Sequence, residues 1–167
     1  MDPILDFTGK TALITGAASG FGKLLAEELG KRGAALVLGD INMDALNTQA
    51  EALADQGVKV AALRCDVSSE ADCKAMVETA LAQFGHLDMA VNNAGIAHDM
   101  MPLPKTPVDV AKKIIDVDLM GVFYAMRAQL PVMEQRFRET GESGSIINVA
   151  SVAGVVAAPM LAIYAAA

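Results

Sequence analysis

The sequence predicts an α/β fold, a doubly wound parallel sheet, from three observations. Apolar runs of strand length alternate with helix-like segments along all 167 residues. Those runs are apolar at successive positions, as strands covered on both faces must be. A glycine-rich turn, Thr15-Gly16-Ala17-Ala18-Ser19-Gly20-Phe21-Gly22, joins the first run to the first helix-like segment. Crossovers between parallel strands share one hand, which lays helices on both faces of the sheet.

Each element has its own signal. Thr11 to Thr15 is a first strand. Phe21 to Arg32 is a helix, with Leu24, Leu25 and Leu29 on one side and Gly33 as its stop. Ala35 to Leu38 is a second strand ending at Gly39-Asp40. Met43 to Asp55 is a helix closed by Gly57, and Val58 to Leu63 a third strand. Ser68-Ser69-Glu70 has the capping composition of a helix start. That helix runs to Phe84, before Gly85. Leu87 to Val91 is a fourth strand. A Pro- and Met-rich loop spans Ile96 to Pro107. A long helical region covers Val108 to Arg138, with Pro131 expected to kink or restart it. Ser143-Gly144 turns the chain into a fifth strand, Ser145 to Val149. No linker or internal repeat divides the chain, so residues 1–167 read as one domain.

Composition narrows the function. Apolar residues make up 53% of the chain and aromatics 4%, so the core is aliphatic. A net charge of −7 without a basic stripe argues against nucleic acid and anionic membranes as partners. Cys65 and Cys73 form no C-x-x-C pair and no zinc-type cluster, so no metal is expected and both read as buried reduced thiols. The N-terminal M-D-P-I-L-D-F lacks the layout of a secretory signal, which points to the cytoplasm. Gly144 to Ala167 carries no charge and has the length of a membrane span, but Asn148, Ser151, Gly154 and Pro159 interrupt it. It reads as a buried strand end rather than a span.

The glycine turn is the strongest chemical signal. Glycines between strand and helix allow a tight bend and close approach of a ligand. The helix that follows offers free N–H groups and a positive dipole end, which suit a pyrophosphate. Gly16, Gly20 and Gly22, with Ser19 and Phe21 between them, are therefore candidate dinucleotide contacts. Asp40, twenty positions after Gly20, stands where an acidic side chain takes the adenosine ribose hydroxyls. A carboxylate there repels a 2′-phosphate, so NAD is expected rather than NADP. Asp66-Val67 and Asn92-Asn93-Ala94-Gly95 end the third and fourth strands, where ligands of such folds sit. Asn92 and Asn93 are equally turn residues that bond their own backbone.

With Thr15 to Gly22, Asp66-Val67, Asn92 to Gly95, and Ile147 to Ser151 followed by Tyr164, the chain resembles the short-chain dehydrogenase/reductase family, the branch with a T-G-x-x-x-G-x-G turn. The resemblance covers essentially the whole chain and implies a Rossmann-like fold. It implies that Asp66 binds the adenine amino group, and that the Asn93-Ala94-Gly95 turn packs beside the nicotinamide ribose. It also implies that Ser151 and Tyr164 act on the substrate oxygen. An alcohol releases hydride only as its hydroxyl proton leaves, and Tyr164 is the expected general base, or general acid in reverse. The expected activity is NAD-dependent interconversion of a secondary alcohol and a ketone, by an enzyme that is dimeric or tetrameric when full length. The mostly apolar, Met-rich segments Ile96 to Met101 and Val152 to Met160 suggest a lipophilic alcohol or ketone. His98 reads as a surface-loop imidazole, with a pocket residue as the alternative, and His86 as structural.

Two departures from the family pattern stand out. Asp118 occupies a position where the family usually has Asn, a residue that holds a water of the proton relay. An ionised Asp accepts hydrogen bonds but cannot donate them. The family's lysine, which assists the tyrosine, falls one position beyond Ala167. The expectation is therefore a domain incomplete at its C-terminus, lacking the final strands, and close to inactive as the 167-residue chain alone. The alternative expectation is a non-catalytic NAD-binding module or an inactive fragment.

Overall fold

A computed structural model describes residues 5–167; residues 1–4, part of the stretch read for a targeting signal, lie outside the described residues. Five parallel strands form one sheet in the order β3-β2-β1-β4-β5. They are β1 Thr11–Thr15, β2 Ala35–Asp40, β3 Val60–Arg64, β4 Met89–Asn92 and β5 Ser145–Asn148. Central β1 is buried along its whole length. Leu13 lies level with Val37 on one side and with Ala90 on the other.

Side chains alternate across a strand, and β1 divides its residues accordingly. Ala12 and Ile14 join one apolar layer with Ala26, Leu36, Leu38, Leu46, Leu53 and Val91. Helices α1 (Gly20–Lys31) and α2 (Met43–Ala54) contribute to that layer. Leu13 joins the opposite layer with Val37, Met76, Val77, Ala80, Ala125 and Met133. Helices α3 (Glu70–Phe84) and α5 (Gly121–Thr140) supply that side. Both faces are thus covered over β1, β2 and β4, which is why these strands carry few polar residues. Edge strand β5 differs from the buried strand end expected there: Ile147 is 58% exposed.

The helix ends follow the sequence closely. Ser69 caps α3, its hydroxyl oxygen accepting the Asp72 N–H at 3.3 Å, and Gly85 ends it in the left-handed conformation. The apolar face of α1 follows the expected leucine side only in part: Leu25 and Leu29 pack half-buried against the core. Gly22, Ala26 and Gly30 are its buried residues, while Leu24 is exposed. Close packing explains this: a Cβ on Gly30 would lie 3.1 Å from Val58. Only small residues let α1 approach the sheet so closely.

The long helical region also differs from expectation. It runs as α4 (Val108–Ile114), a π-helical segment (Ile115–Met120) and α5. Pro131 does not break it; α5 continues to Thr140. Proline removes the hydrogen bond to the carbonyl four residues earlier. Pro131 and Arg127 are both exposed, on the solvent side of the helix. Gly144 to Ala167 forms β5, a short turn at Val152–Gly154 and helix α6 (Ala162–Ala166). Among the described residues, no helix is long and apolar enough to cross a membrane.

Cys65 and Cys73 are free and buried, and a hydrogen bond between them together with burial pushes the Cys65 thiol up. At the N-terminal end of the sheet, buried Asp88 accepts the Thr11 N–H at 2.8 Å. It also pairs with His86 at 3.1 Å and Arg136 at 3.2 Å, so His86 is structural, as expected.

Candidate active site

The glycine turn leaves the C-terminal end of β1 and opens α1. Gly16 and Gly20 both have positive φ, +65° and +53°, a conformation that favours glycine. Their surroundings differ. A Cβ on Gly16 would come within 2.9 Å of the Ala94 backbone, whereas one on Gly20 would meet nothing within 4 Å. Gly22 is closed from the inside, since a Cβ there would strike the Gly16 carbonyl and lie 2.7 Å from the Asn93 amide nitrogen. Ser19, at the head of α1, makes no capping bond with its side chain.

The turn after β4 clamps this loop. The Asn93 amide donates to the Thr15 carbonyl at 3.0 Å and the Gly16 carbonyl at 3.2 Å. In return the Thr15 hydroxyl accepts the Asn93 and Ala94 N–H groups at 3.1 and 3.2 Å. Asn92 is buried and belongs to a different network. It exchanges amide hydrogen bonds with Gln129 at 2.8 and 3.2 Å and donates to Asn148 at 2.8 Å. That network ties β4, β5 and α5 together. Gln129 was not singled out from the sequence. It lies four residues from Ala125 and from Met133 on the buried face of α5, and a lone amide on such a stripe is its signal.

At the next strand end, Asp40 bridges two segments. One carboxylate oxygen accepts the Ala18 N–H and the other the Asn42 N–H, both at 2.9 Å. The strand end is thereby fixed to the glycine turn, and each oxygen keeps a second lone pair for a ligand. The Ser68 hydroxyl at 2.6 Å and its N–H at 3.1 Å hold the Asp66 carboxyl below the usual carboxylate range. Val67 is buried, and a Cβ on Gly121 would press within 2.9 Å of its side chain. That glycine lets the start of α5 close over the end of β3.

Asp118 lies inside the π-helical segment, a distortion that recurs at functional sites. One of its oxygens accepts the Ile96 N–H at 2.8 Å, which anchors the loop leaving Gly95. The other is buried without a partner among the described residues. Burial pushes the Asp118 carboxyl above its ordinary value, and the Ile96 N–H draws it part of the way back.

Ser151 directly follows β5 and caps the turn at Val152–Gly154. Its oxygen accepts the Ala153 N–H at 3.2 Å, leaving its own proton free to donate. Tyr164 is half-buried on α6. Helix α6 packs on the Val152–Gly154 turn, on α4 and on the π-helical segment. The elements bearing Ser151, Tyr164 and Asp118 therefore converge beyond the C-terminal end of the sheet. Met101 donates its N–H to the Met160 carbonyl at 3.0 Å, joining the two Met-rich segments. Met160 holds φ at +71°, strained for a side-chain-bearing residue.

Comparison with known proteins agrees with this arrangement. Residues 10–167 match the short chain dehydrogenase family. The chain is 41% identical over 155 residues to the 2,5-dichloro-2,5-cyclohexadiene-1,4-diol dehydrogenase of Sphingobium indicum, across 93% of this chain and 59% of that protein. It is 38% identical over 156 residues to the 3beta-hydroxysteroid dehydrogenase 2 of Eggerthella lenta, across 93% of this chain and 58% of that protein. The crystal structure of a short chain dehydrogenase/reductase from Burkholderia phymatum in complex with NAD superimposes with a TM-score of 0.90 at 36% identity. That match covers 96% of this chain and 56% of the other. The chain thus spans less than two thirds of the length of these relatives. It belongs to the short chain dehydrogenase family.

Proposed function

We propose that this short-chain dehydrogenase interconverts a secondary ring alcohol and its ketone with NAD as the hydride carrier. The observation that carries the reading is the convergence of the Ser151 turn, the Tyr164 helix and the Asp118 segment on the side of the sheet that holds the glycine turn. The residues present suit a dinucleotide. The head of α1 is stripped of side chains at Gly16, Gly20 and Gly22, and a Cβ at Gly20 would project into open space. Backbone N–H groups from Gly16 to Gly22, including Ser19 and Phe21, would hold the diphosphate. Asp40 would accept the adenosine ribose hydroxyls, and its negative charge disfavours the additional phosphate of NADP. Asp66 and Val67 would border the adenine; Asn93, Ala94 and Gly95 would border the nicotinamide ribose.

NAD, when bound, accepts the hydride; the protein must place the alcohol and move one proton. Ser151 donates its hydroxyl hydrogen to the substrate oxygen. Tyr164 removes the substrate hydroxyl proton as the carbonyl forms, and returns it in reverse. Asp118 acts through Ile96, fixing the loop that leaves the Asn93-Ala94-Gly95 turn. A lipophilic ring suits the exposed apolar residues near this edge, Met100, Val155, Val156 and Met160. The relatives named for a cyclohexadiene diol and a hydroxysteroid also support a ring alcohol. Phe123, Leu130 and Phe137 recur at seven-residue spacing and are exposed along α5, which favours association of copies through that helix.

The test is Tyr164→Phe in the full-length protein. NAD binding persists by calorimetry, while turnover of cyclohexanol and a hydroxysteroid falls about 10²–10⁴-fold. Binding of NAD without turnover by the parent protein would replace the enzyme with a non-catalytic NAD-binding module.

A further inference from the structure

The loop that leaves β4 hides an acceptor with no donor. His98 Nδ1 lies 2.7 Å from the Asp99 carbonyl oxygen. A carbonyl only accepts, so Nδ1 carries a proton, and in the singly protonated ring Nε2 is then a lone-pair acceptor. That Nε2 is buried and has no partner among the described residues. The ring is half-buried and its far nitrogen enclosed, which favours the pocket alternative over the surface-loop imidazole expected first. A buried acceptor without a donor is costly, and native structures leave few of them unexplained.

The position of the loop indicates what supplies the donor. It begins at the C-terminal end of β4, the side on which ligands of open parallel sheets sit. Its first part is fastened to Asp118 through Ile96, and its last part to Met160 through Met101. His98 therefore lies midway between two tethers, one to the Asp118 segment and one to the strained residue just before the Tyr164 helix. The Asp118 oxygen at the first tether is a second enclosed acceptor without a donor. Otherwise this wall is mostly apolar: Ile96, Ala97, Met100 and Met101 flank the imidazole and Asp99 in sequence.

We propose that His98 Nε2 determines specificity by accepting a hydrogen bond from a second hydroxyl on the ring alcohol, favouring ring diols over simple ring alcohols. This rests on the proposed oxidation of ring alcohols and names the substrate class more closely. A substrate hydroxyl brings the missing donor. A simple ring alcohol leaves the acceptor unpaired. Sites built to bond a hydroxyl discriminate against analogues that lack it, because the buried partner is then left unsatisfied.

The experiment compares 1,4-cyclohexanediol with cyclohexanol on the full-length enzyme with NAD, for the parent, His98→Leu and His98→Gln. The parent prefers the diol in kcat/KM. His98→Leu lowers the diol-to-cyclohexanol ratio by about tenfold or more, and His98→Gln, which retains an acceptor at similar reach, restores most of it. Parallel loss for both substrates, or an unchanged ratio, overturns the proposal while leaving the oxidation of ring alcohols intact. Histidine nitrogen NMR supplies a readout independent of turnover. Addition of the diol to the NAD-bound protein shifts the Nε2 resonance of His98 and cyclohexanol does not. If neither alcohol is oxidised, the functional reading fails separately, and an Nε2 resonance indifferent to diol overturns the role of His98 as well.

Discussion

Two glycines of one turn are needed for different reasons, and Gly20→Ala against Gly22→Ala separates them. Gly20 sits at φ +53° with open space where a Cβ would project. Alanine there costs about 1–2 kcal/mol, the penalty of a left-handed conformation for an L-residue. Gly22 pays no such penalty, and inside α1 alanine would return up to about 1 kcal/mol of helix propensity. Its Cβ, however, would strike the Gly16 carbonyl and crowd the Asn93 amide to 2.7 Å. The carbonyl is backbone, and Gly16 is itself pinned against Ala94. The Asn93 amide can retreat only by releasing Thr15 and Gly16, two hydrogen bonds of about 0.5–1.5 kcal/mol each. Overpacking adds about 1–3 kcal/mol. Net of propensity, Gly22→Ala destabilises by about 1–5 kcal/mol, with a midpoint of about 3 that exceeds the Gly20→Ala penalty. Urea unfolding of both variants beside the parent measures the difference. A Gly22→Ala protein as stable as the parent, or more stable than Gly20→Ala, would refute the packing argument.

The other expectations concern charge. Asp88→Ala loses both the Thr11 N–H acceptor and the Arg136 partner in a buried position, and should cost about 3–5 kcal/mol in urea unfolding. Asp88→Asn keeps the acceptor and should cost less; equal losses would mean the Thr11 bond contributes nothing. Asp118→Asn should raise stability at pH 7. A carboxyl whose folded pKa is raised binds its proton more tightly folded than unfolded, so its penalty develops as pH rises above its ordinary value of 3.8 and is full above the folded pKa. The gain from Asp118→Asn should therefore shrink below pH 4 in thermal unfolding, and a pH-independent gain would contradict the burial account. Asp40→Ser should lower the binding preference for NAD over NADP by about tenfold or more, read by titration calorimetry with both, since a nearby charge is worth about one to three pK units.

The strands and the glycine turn are legible because each depends on local sequence. Continuous apolar runs identify two-faced strands, and glycine identifies positive φ. What the sequence hid arises between elements. Leu24 faces outward because α1 approaches the sheet along Gly22, Ala26 and Gly30, a matter of separation between layers. The π-helical turn at Ile115–Met120 has no sequence mark, since it accommodates the fit of α4 and α5 to their neighbours. Pro131 sits inside α5 at an exposed position, where the hydrogen bond it forgoes lies on the solvent side. His98 carries no sequence mark of its enclosed nitrogen, because the tethers at Ile96 and Met101 reach residues distant in the chain.

Asn93 has a consequence for how the loop can come apart. Its side-chain nitrogen donates to the Thr15 and Gly16 carbonyls, and its own N–H is taken by the Thr15 hydroxyl. One residue at the exit of β4 thus staples the bend that leaves β1, so neither strand end loosens without the other.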